Sequence, residues 1–256
     1  MLNLTKWYCD CVGQDGAAFL GYWAQLRRGP FTIPYSATLY KPVQGSPREH
    51  TSVRRCAPPA LDGTGLHWHC QQLHVQGWWS PYSQAHQHTL YQSPAGVITW
   101  RCLIPGAEAS VDIGGQDRLS GLGYAELLTV SISPRRLPFD RLRWGRFLSP
   151  DTSLTWIEWS GDYQRHWVFL DGAECPRATV DESGVTFADG RLDLDDSAVL
   201  REGSLASTAL ASVPCAPLWL GRRFRSTYET KWLARGTYTT GSTVRTGWII
   251  HEEVRW

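Results

Sequence analysis

Methionine occurs once in this 256-residue sequence, and neither sign of charge dominates: 25 Lys and Arg face 24 Asp and Glu, for a net charge of +1. Without a basic surplus the chain has little with which to neutralise a phosphate backbone, so nucleic acid is not an expected partner. Long apolar runs are missing too. None approaches the roughly 18 residues of a membrane-crossing helix. Met1 to Asp10 holds no basic segment followed by an apolar stretch, so no signal peptide is expected and the expected location is the cytoplasm. No stretch keeps a helical apolar stripe for about a dozen residues, which leaves only short helices, near Leu73 to His86 and Asp195 to Ala209. Gly-x-Ser-x-Gly, a Walker loop, Gly-x-Gly-x-x-Gly and His-Glu-x-x-His are all absent, and no cofactor is expected.

Cysteine is present but unpatterned. The seven residues, Cys9, Cys11, Cys56, Cys70, Cys102, Cys175 and Cys215, are odd in number and irregular in spacing, and no Cys-x-x-Cys occurs. They read as mostly buried, reduced thiols. Cys9 and Cys11, two apart, would share one face of a strand rather than hold a metal.

Aromatic residues are abundant: fourteen Trp, ten Tyr and seven Phe. Such large rigid side chains are costly to leave exposed, so they either thicken a core or line a wide cavity. Charged residues at 19% and hydrophobic residues at 42% are those of a globular chain.

The pattern is period two nearly throughout. Strands are expected over Phe19–Leu26, Thr32–Tyr40, Gly65–Val75, Gly96–Ile104, Tyr124–Ile132, Leu142–Leu148, Leu154–Trp159, His166–Leu170, Phe224–Trp232 and Thr246–Trp256. Turn chemistry separates several of them, as at Gln14-Asp15-Gly16, Arg28-Gly29-Pro30, Ser149-Pro150-Asp151, Ser160-Gly161-Asp162, Asp171-Gly172 and Ala188-Asp189-Gly190. The expectation is an all-β protein of antiparallel barrels or sandwiches with few short helices. Pro134 cannot sit in a central ladder, which suggests a junction there and two domains, 1–132 and 133–256. No internal sequence repeat is evident.

Alternation also locates charges on apolar faces. Glu126 shares its face with Tyr124, Leu128, Val130 and Ile132. Desolvation there favours the protonated acid, which suits a proton donor. Arg146 lies with Leu142, Trp144 and Leu148; Glu158 with Leu154 and Trp156; Glu252 with Trp248, Ile250, Val254 and Trp256. Buried charges are usually paired, so a purely structural reading has Arg146 matched to one of these glutamates. A functional reading leaves one carboxyl group to act as an acid. His67-Trp68-His69 and His86-Gln87-His88 each place two imidazoles on one strand face. Leu66, Trp68 and Cys70 form the apolar side of the first unit, so His67 and His69 should point away, and the second reads as a polar loop; no metal site is expected from them.

Several segments, in this order, resemble the CrtC group of carotenoid 1,2-hydratases (hydroxyneurosporene synthases) and their AttH-like relatives. They are Ala37-Thr38-Leu39-Tyr40, Ile98 to Val111, Gly121-Leu122-Gly123-Tyr124-Ala125-Glu126, Leu142-Arg143-Trp144-Gly145-Arg146, Ala234-Arg235-Gly236 and His251-Glu252-Glu253-Val254. The resemblance implies two lipocalin-like antiparallel β domains and an apolar pocket. It also implies an activity such as adding water across an isolated alkene, or, as in fungal relatives, folding a polyene for cycloaddition. Glu126 stands where that group usually has Asp, moving the carboxyl group by about one methylene.

Three functions follow. An acid-assisted hydratase, cyclase or isomerase of a terpenoid or polyene would use Glu126 as the acid, with Tyr124 and Arg146 orienting it. Glu158 or Glu252 would place water, and Trp100, Trp144, Trp156, Trp248 and Tyr40 would line the pocket and stabilise a developing cation. A lipocalin-type carrier would bind an apolar molecule without chemistry. A pericyclase would need no acid. In each the partner is a hydrophobic small molecule, and transient contact with a membrane surface is compatible with such a ligand. The sequence does not specify an oligomeric state.

Overall fold

The structure is a computed structural model that describes residues 2–133, 136–208, 211 and 226–256. Pro134, Arg135, Cys215 and Phe224, on which expectations were placed, lie outside the described residues, as does Ala209 at the end of one expected helix. Strands make up 69% of the structure and helix 2%. The chain divides after Arg136 into two compact units.

The first unit holds ten strands: β1 (Leu2–Val12), β2 (Ala18–Arg28), β3 (Phe31–Lys41), β4 (Arg48–Ser52), β5 (Ala60–Leu61), β6 (Leu66–Cys70), β7 (Val75–Pro81), β8 (His86–Ser93), β9 (Gly96–Ile113) and β10 (Asp117–Val130). They form one antiparallel sheet in the order β4-β3-β2-β1-β10-β9-β7-β6-β5. The long β9 carries β8 along its first half and β7 along its second. The sheet curls so that strands far apart in its order meet. The Trp68 ring on β6 comes within 2.5 Å of where a Cβ on Gly21 of β2 would sit. Cys9, Cys11, Phe19, Trp68, Trp79 and Val111 belong to the core on this concave side.

The second unit has nine: β11 (Arg141–Ser149), β12 (Thr152–Ser160), β13 (Arg165–Leu170), β14 (Ala173–Glu174), β15 (Thr179–Val180), β16 (Gly184–Thr186), β17 (Gly190–Ser204), β18 (Tyr228–Thr240) and β19 (Thr243–Arg255). Their order is β14-β13-β12-β11-β19-β18-β17-β16-β15. Phe147, Leu154, Trp156, Val168, Leu192, Tyr238 and Ile249 form its core. The Trp156 ring lies flat across the glycine opposite it, 2.1 Å from where a Gly145 Cβ would project, so only glycine fits there.

Several local expectations needed correction. The single strand expected over Gly65–Val75 is two. A 3-10 turn at Gln71–Leu73 and a left-handed His74, φ 51°, fold the chain back so that Cys70 faces Val75 across an antiparallel pair. The helices placed near Leu73–His86 and Asp195–Ala209 are instead β7, the start of β8, and β17. In β17, register shifts between Leu194 and Ser197 and between Val199 and Arg201 interrupt the period-two pattern and hide the strand. His86 to His88 belongs to a strand, not a loop. Among the described residues no helix is long and apolar enough to cross a membrane.

Candidate functional site

The convex face of the first sheet gathers polar groups among aromatic rings. On β10, Tyr124 and Glu126 point the same way. On the neighbouring β1, Tyr8 and Asp10 do so too, because Tyr8 stands opposite Glu126 and Asp10 opposite Tyr124. Acid and phenol therefore alternate around a square of four positions. Tyr124 donates its hydroxyl to Glu126 Oε2 at 2.7 Å, and Tyr8 donates to Asp10 Oδ2 at 2.8 Å. The indole Nε1 of Trp100, on β9, donates to the same Glu126 oxygen at 2.6 Å. Glu126 is 8% exposed and Asp10 0%, with Tyr8, Tyr124 and Trp100 also buried.

Aromatic rings frame the square. Tyr8 packs against Tyr22 at 5.4 Å and Tyr124 at 6.1 Å between centroids. On β8, His86 and His88 stand 5.2 and 6.2 Å from the Trp100 ring, and half-buried Lys6 sits over Tyr22 at 5.6 Å.

Protonation states follow from burial. Burial, with Cys102 and Glu126 beside it, holds the Tyr124 phenol well above its ordinary range, so it remains a donor. Burial, then the neighbouring His88, lowers His86 to about 4, so it is a neutral imidazole at pH 7. Burial likewise keeps the Cys102 thiol protonated.

Two local features aim these groups. Trp79, on the concave side, donates its Nε1 to the main-chain oxygen of Asp10 at 2.6 Å. Its ring reaches that oxygen past Gly123, where a Cβ would lie 2.5 Å from Trp79 Cδ1 and 2.7 Å from the Asp10 oxygen. The glycine before Tyr124 is thus a passage for an indole. Opposite it, β9 carries Pro105 and Gly106 in a bulge between the pairs Gly123–Ala107 and Ala125–Ile104, which admits a proline inside the sheet.

The other expected site residues are differently placed. Trp144, Arg146, Trp248 and Glu252 share one face of the second sheet, whereas Glu158 and Trp156 point to its opposite, core face. Arg146, 0% exposed, donates to the Trp248 main-chain oxygen at 2.8 Å. Glu158 meets Arg143 at 3.5 Å, and Arg143 also bonds Glu253 at 3.0 Å. Glu252 is paired with Lys231, whose ammonium lies 5.7 Å over the Trp144 ring. Trp248 is covered by the Arg235 guanidinium at 4.4 Å. Tyr40 sits at the rim of the first unit's core, under Arg48 at 5.1 Å, on the face opposite Glu126. Of the ten residues expected, Glu126, Tyr124 and Trp100 come together. Tyr8, Asp10, Tyr22 and His86 were missed, although the alternation Tyr8-Cys9-Asp10-Cys11 already puts Tyr8 and Asp10 on one face.

A separate open cleft of about 370 Å³ lies on the concave side, at the end where Asn3, Thr5, Gln25, Arg27, Thr99 and Ser131 gather with Trp23. Its lining is largely polar rather than aromatic.

No protein-family description matches the sequence, and no curated protein is similar to it in sequence. Solved structures are similar in fold. CghA bound to Sch210972 has 12% identity and a TM-score of 0.60, with 99% of this chain and 88% of that one covered. The AttH-like protein NE1406 of Nitrosomonas europaea has 11% identity and a TM-score of 0.55, covering 99% and 91%. Kievitone hydratase from Nectria haematococca has 10% identity and a TM-score of 0.53, covering 98% and 88%. Likeness at such identities speaks to architecture and not to chemistry. The chain has the double-lipocalin fold of the AttH and CrtC-like proteins.

Proposed function

We propose that the face around Glu126 binds a hydrophobic terpenoid or polyene and transfers a proton to it, making the protein an acid-assisted hydratase, cyclase or isomerase. The observation that carries this reading is the convergence of Tyr124 and Trp100 on one oxygen of a buried glutamate. Two fixed donors orient the carboxyl group while the surrounding rings exclude water. In the proposed reaction Glu126 gives its proton to an alkene carbon. The electron-rich faces of Tyr8 and Tyr22 stabilise the resulting cation. For hydration, a water molecule adds to the cation and gives its proton to the second acid–phenol pair, Asp10 with Tyr8. Arg146, Glu158 and Glu252 have no part in this scheme, because each is engaged within the second sheet.

The test is mass spectrometry of prenyl and polyene lipids incubated with wild type, Glu126→Gln and Tyr124→Phe. The wild type is expected to give a product heavier by one water, or an isomer of shifted retention. Glu126→Gln should lower its rate by about 10²–10⁴-fold and Tyr124→Phe by about tenfold, with ligand retention unchanged. Equal product from wild type and Glu126→Gln would point to a pericyclase, and ligand retained by both without product would point to a carrier.

A further inference from the structure

We infer that β6, β7, β9 and β10 of the first unit carry a carbohydrate-binding cleft, in which the Trp78 ring is the platform for a neutral pyranose. Trp78 is 38% exposed, whereas Trp68, Trp79 and Trp100 are at most 1% exposed. It lines an open cleft of about 420 Å³, a size within the range of small-molecule sites.

Cross-strand register builds the cleft in two rows. In one, Trp78 stands between His67 and Ser110. In the next, Gln76 stands between His69 and Asp112, and Arg118 follows opposite Asp112. Residues paired in this way project to the same side at spacings of about 5 Å. Arg118 shares its side of β10 with Tyr124 but lies about 20 Å along the strand from it, so the cleft is separate from the Glu126 site.

The platform is held firmly. His67 meets the Trp78 ring edge to face, with 3.6 Å between centroids and 88° between planes. The His67 Nε2 lies 3.1 Å from Asp62 Oδ2. Asp62 in turn accepts the N–H groups of Thr64 and Gly65 at 2.7 and 3.2 Å. In the polar row, Asp112 Oδ1 accepts the Gly115 N–H at 2.9 Å, which fixes the carboxylate and leaves Oδ2 to a ligand. Among the described residues Arg118 forms no ion pair with Asp112.

This combination selects the ligand class. An indole face packs against C–H groups, and a pyranose has such a face, with hydroxyls around its edge. Each hydroxyl both donates and accepts. Asp112 accepts, the Arg118 fork spans two adjacent hydroxyls as a donor, and Gln76 and Ser110 do either. Asp112 and Arg118 cancel in charge, and the Asp112 carboxylate repels a phosphate. An alkyl chain would leave the polar row unpaired.

The test is saturation-transfer NMR of the full-length protein with the methyl glycosides of glucose, galactose, mannose and N-acetylglucosamine, and with adenosine for comparison. At least one glycoside should bind with a dissociation constant on the order of 1 mM, with saturation concentrated on its ring C–H protons. Trp78→Ala should weaken binding by about tenfold or more, and Arg118→Gln by about fivefold. Should Trp78→Ala fail to fold, the loss in Arg118→Gln, which keeps the platform, decides the matter. Absence of transfer to every glycoside, transfer unchanged by these substitutions, or binding of adenosine alone overturns the proposal.

Discussion

The two units share one strand order: in each, the first strand is bonded to the second on one side and to the last on the other, and the chain turns back through a four-strand meander. In each, the last strand presents a glutamate directly opposite an aromatic residue of the first strand, Glu126 opposite Tyr8 and Glu252 opposite Trp144. The third position separates them. Across from Glu126 on the penultimate strand is Cys102, and across from Glu252 is Lys231. Among the described residues a phenol and an indole donate to Glu126, and Glu252 meets an ammonium group that also lies 3.9 Å from Glu229. Glu229 in turn binds Arg201 at 2.7 Å. Ionic partners fix a carboxylate in its charged form. Tyr124 and Trp100 instead orient the Glu126 carboxyl group through hydrogen bonds from uncharged groups. One scaffold therefore carries an ion-pair network in its second half and, in its first, a buried glutamate held by a phenol and an indole.

The comparison can be broken most severely at Lys231, 1% exposed. Lys231→Met strands Glu252 beside Trp144 and should destabilise the second unit by about 3–5 kcal/mol in denaturant titration. Adding Glu252→Gln should return most of that loss. A loss that the second substitution does not reduce would mean that Lys231 acts through packing alone. Gly123→Ala should cost about 1–3 kcal/mol, seen as a lowered denaturation midpoint together with altered Trp79 fluorescence. Its Cβ would force the Trp79 indole off the Asp10 oxygen and disturb the first unit only.

The smallest effect is one the units share. Burial, then a neighbouring imidazole or ammonium, lowers His86 and His251 each to about 4. Both are neutral in the folded state, whereas the unfolded chain takes up their protons near pH 6.5. Stability should therefore fall as pH drops from about 6.5 to about 4 and gain no further slope from these groups below that. The loss should be on the order of 1–2 kcal/mol for each histidine after screening. His86→Asn and His251→Asn should each flatten that window, the first in the Glu126 unit and the second where His251 stacks on Trp232 at 4.8 Å.

Much of the site could be read locally. Alternation placed Tyr124 beside Glu126 and Cys9 beside Cys11 on a common face, because the side-chain direction in a strand depends only on parity. Parity also put Arg146 and Glu158 on apolar faces, but it could not name what lies across from them. Glu158 lies opposite Arg143, and Arg146 opposite Thr155 and Ile250, a matter of cross-strand register that no single strand encodes. The same limit hid the acid–phenol square, whose halves on β1 and β10 lie more than a hundred residues apart in the chain.

By itself the sequence determined the all-β class, most of the long strands, and which residues of each strand share a face, since turn chemistry and period-two alternation act over a few residues. Only the tertiary structure decided which faces meet. It set Asp10 against Tyr124, carried the Trp79 indole past Gly123 and matched Lys231 to Glu252. Those pairings depend on the order and stagger of strands within a curled sheet, which the packing of the whole unit selects.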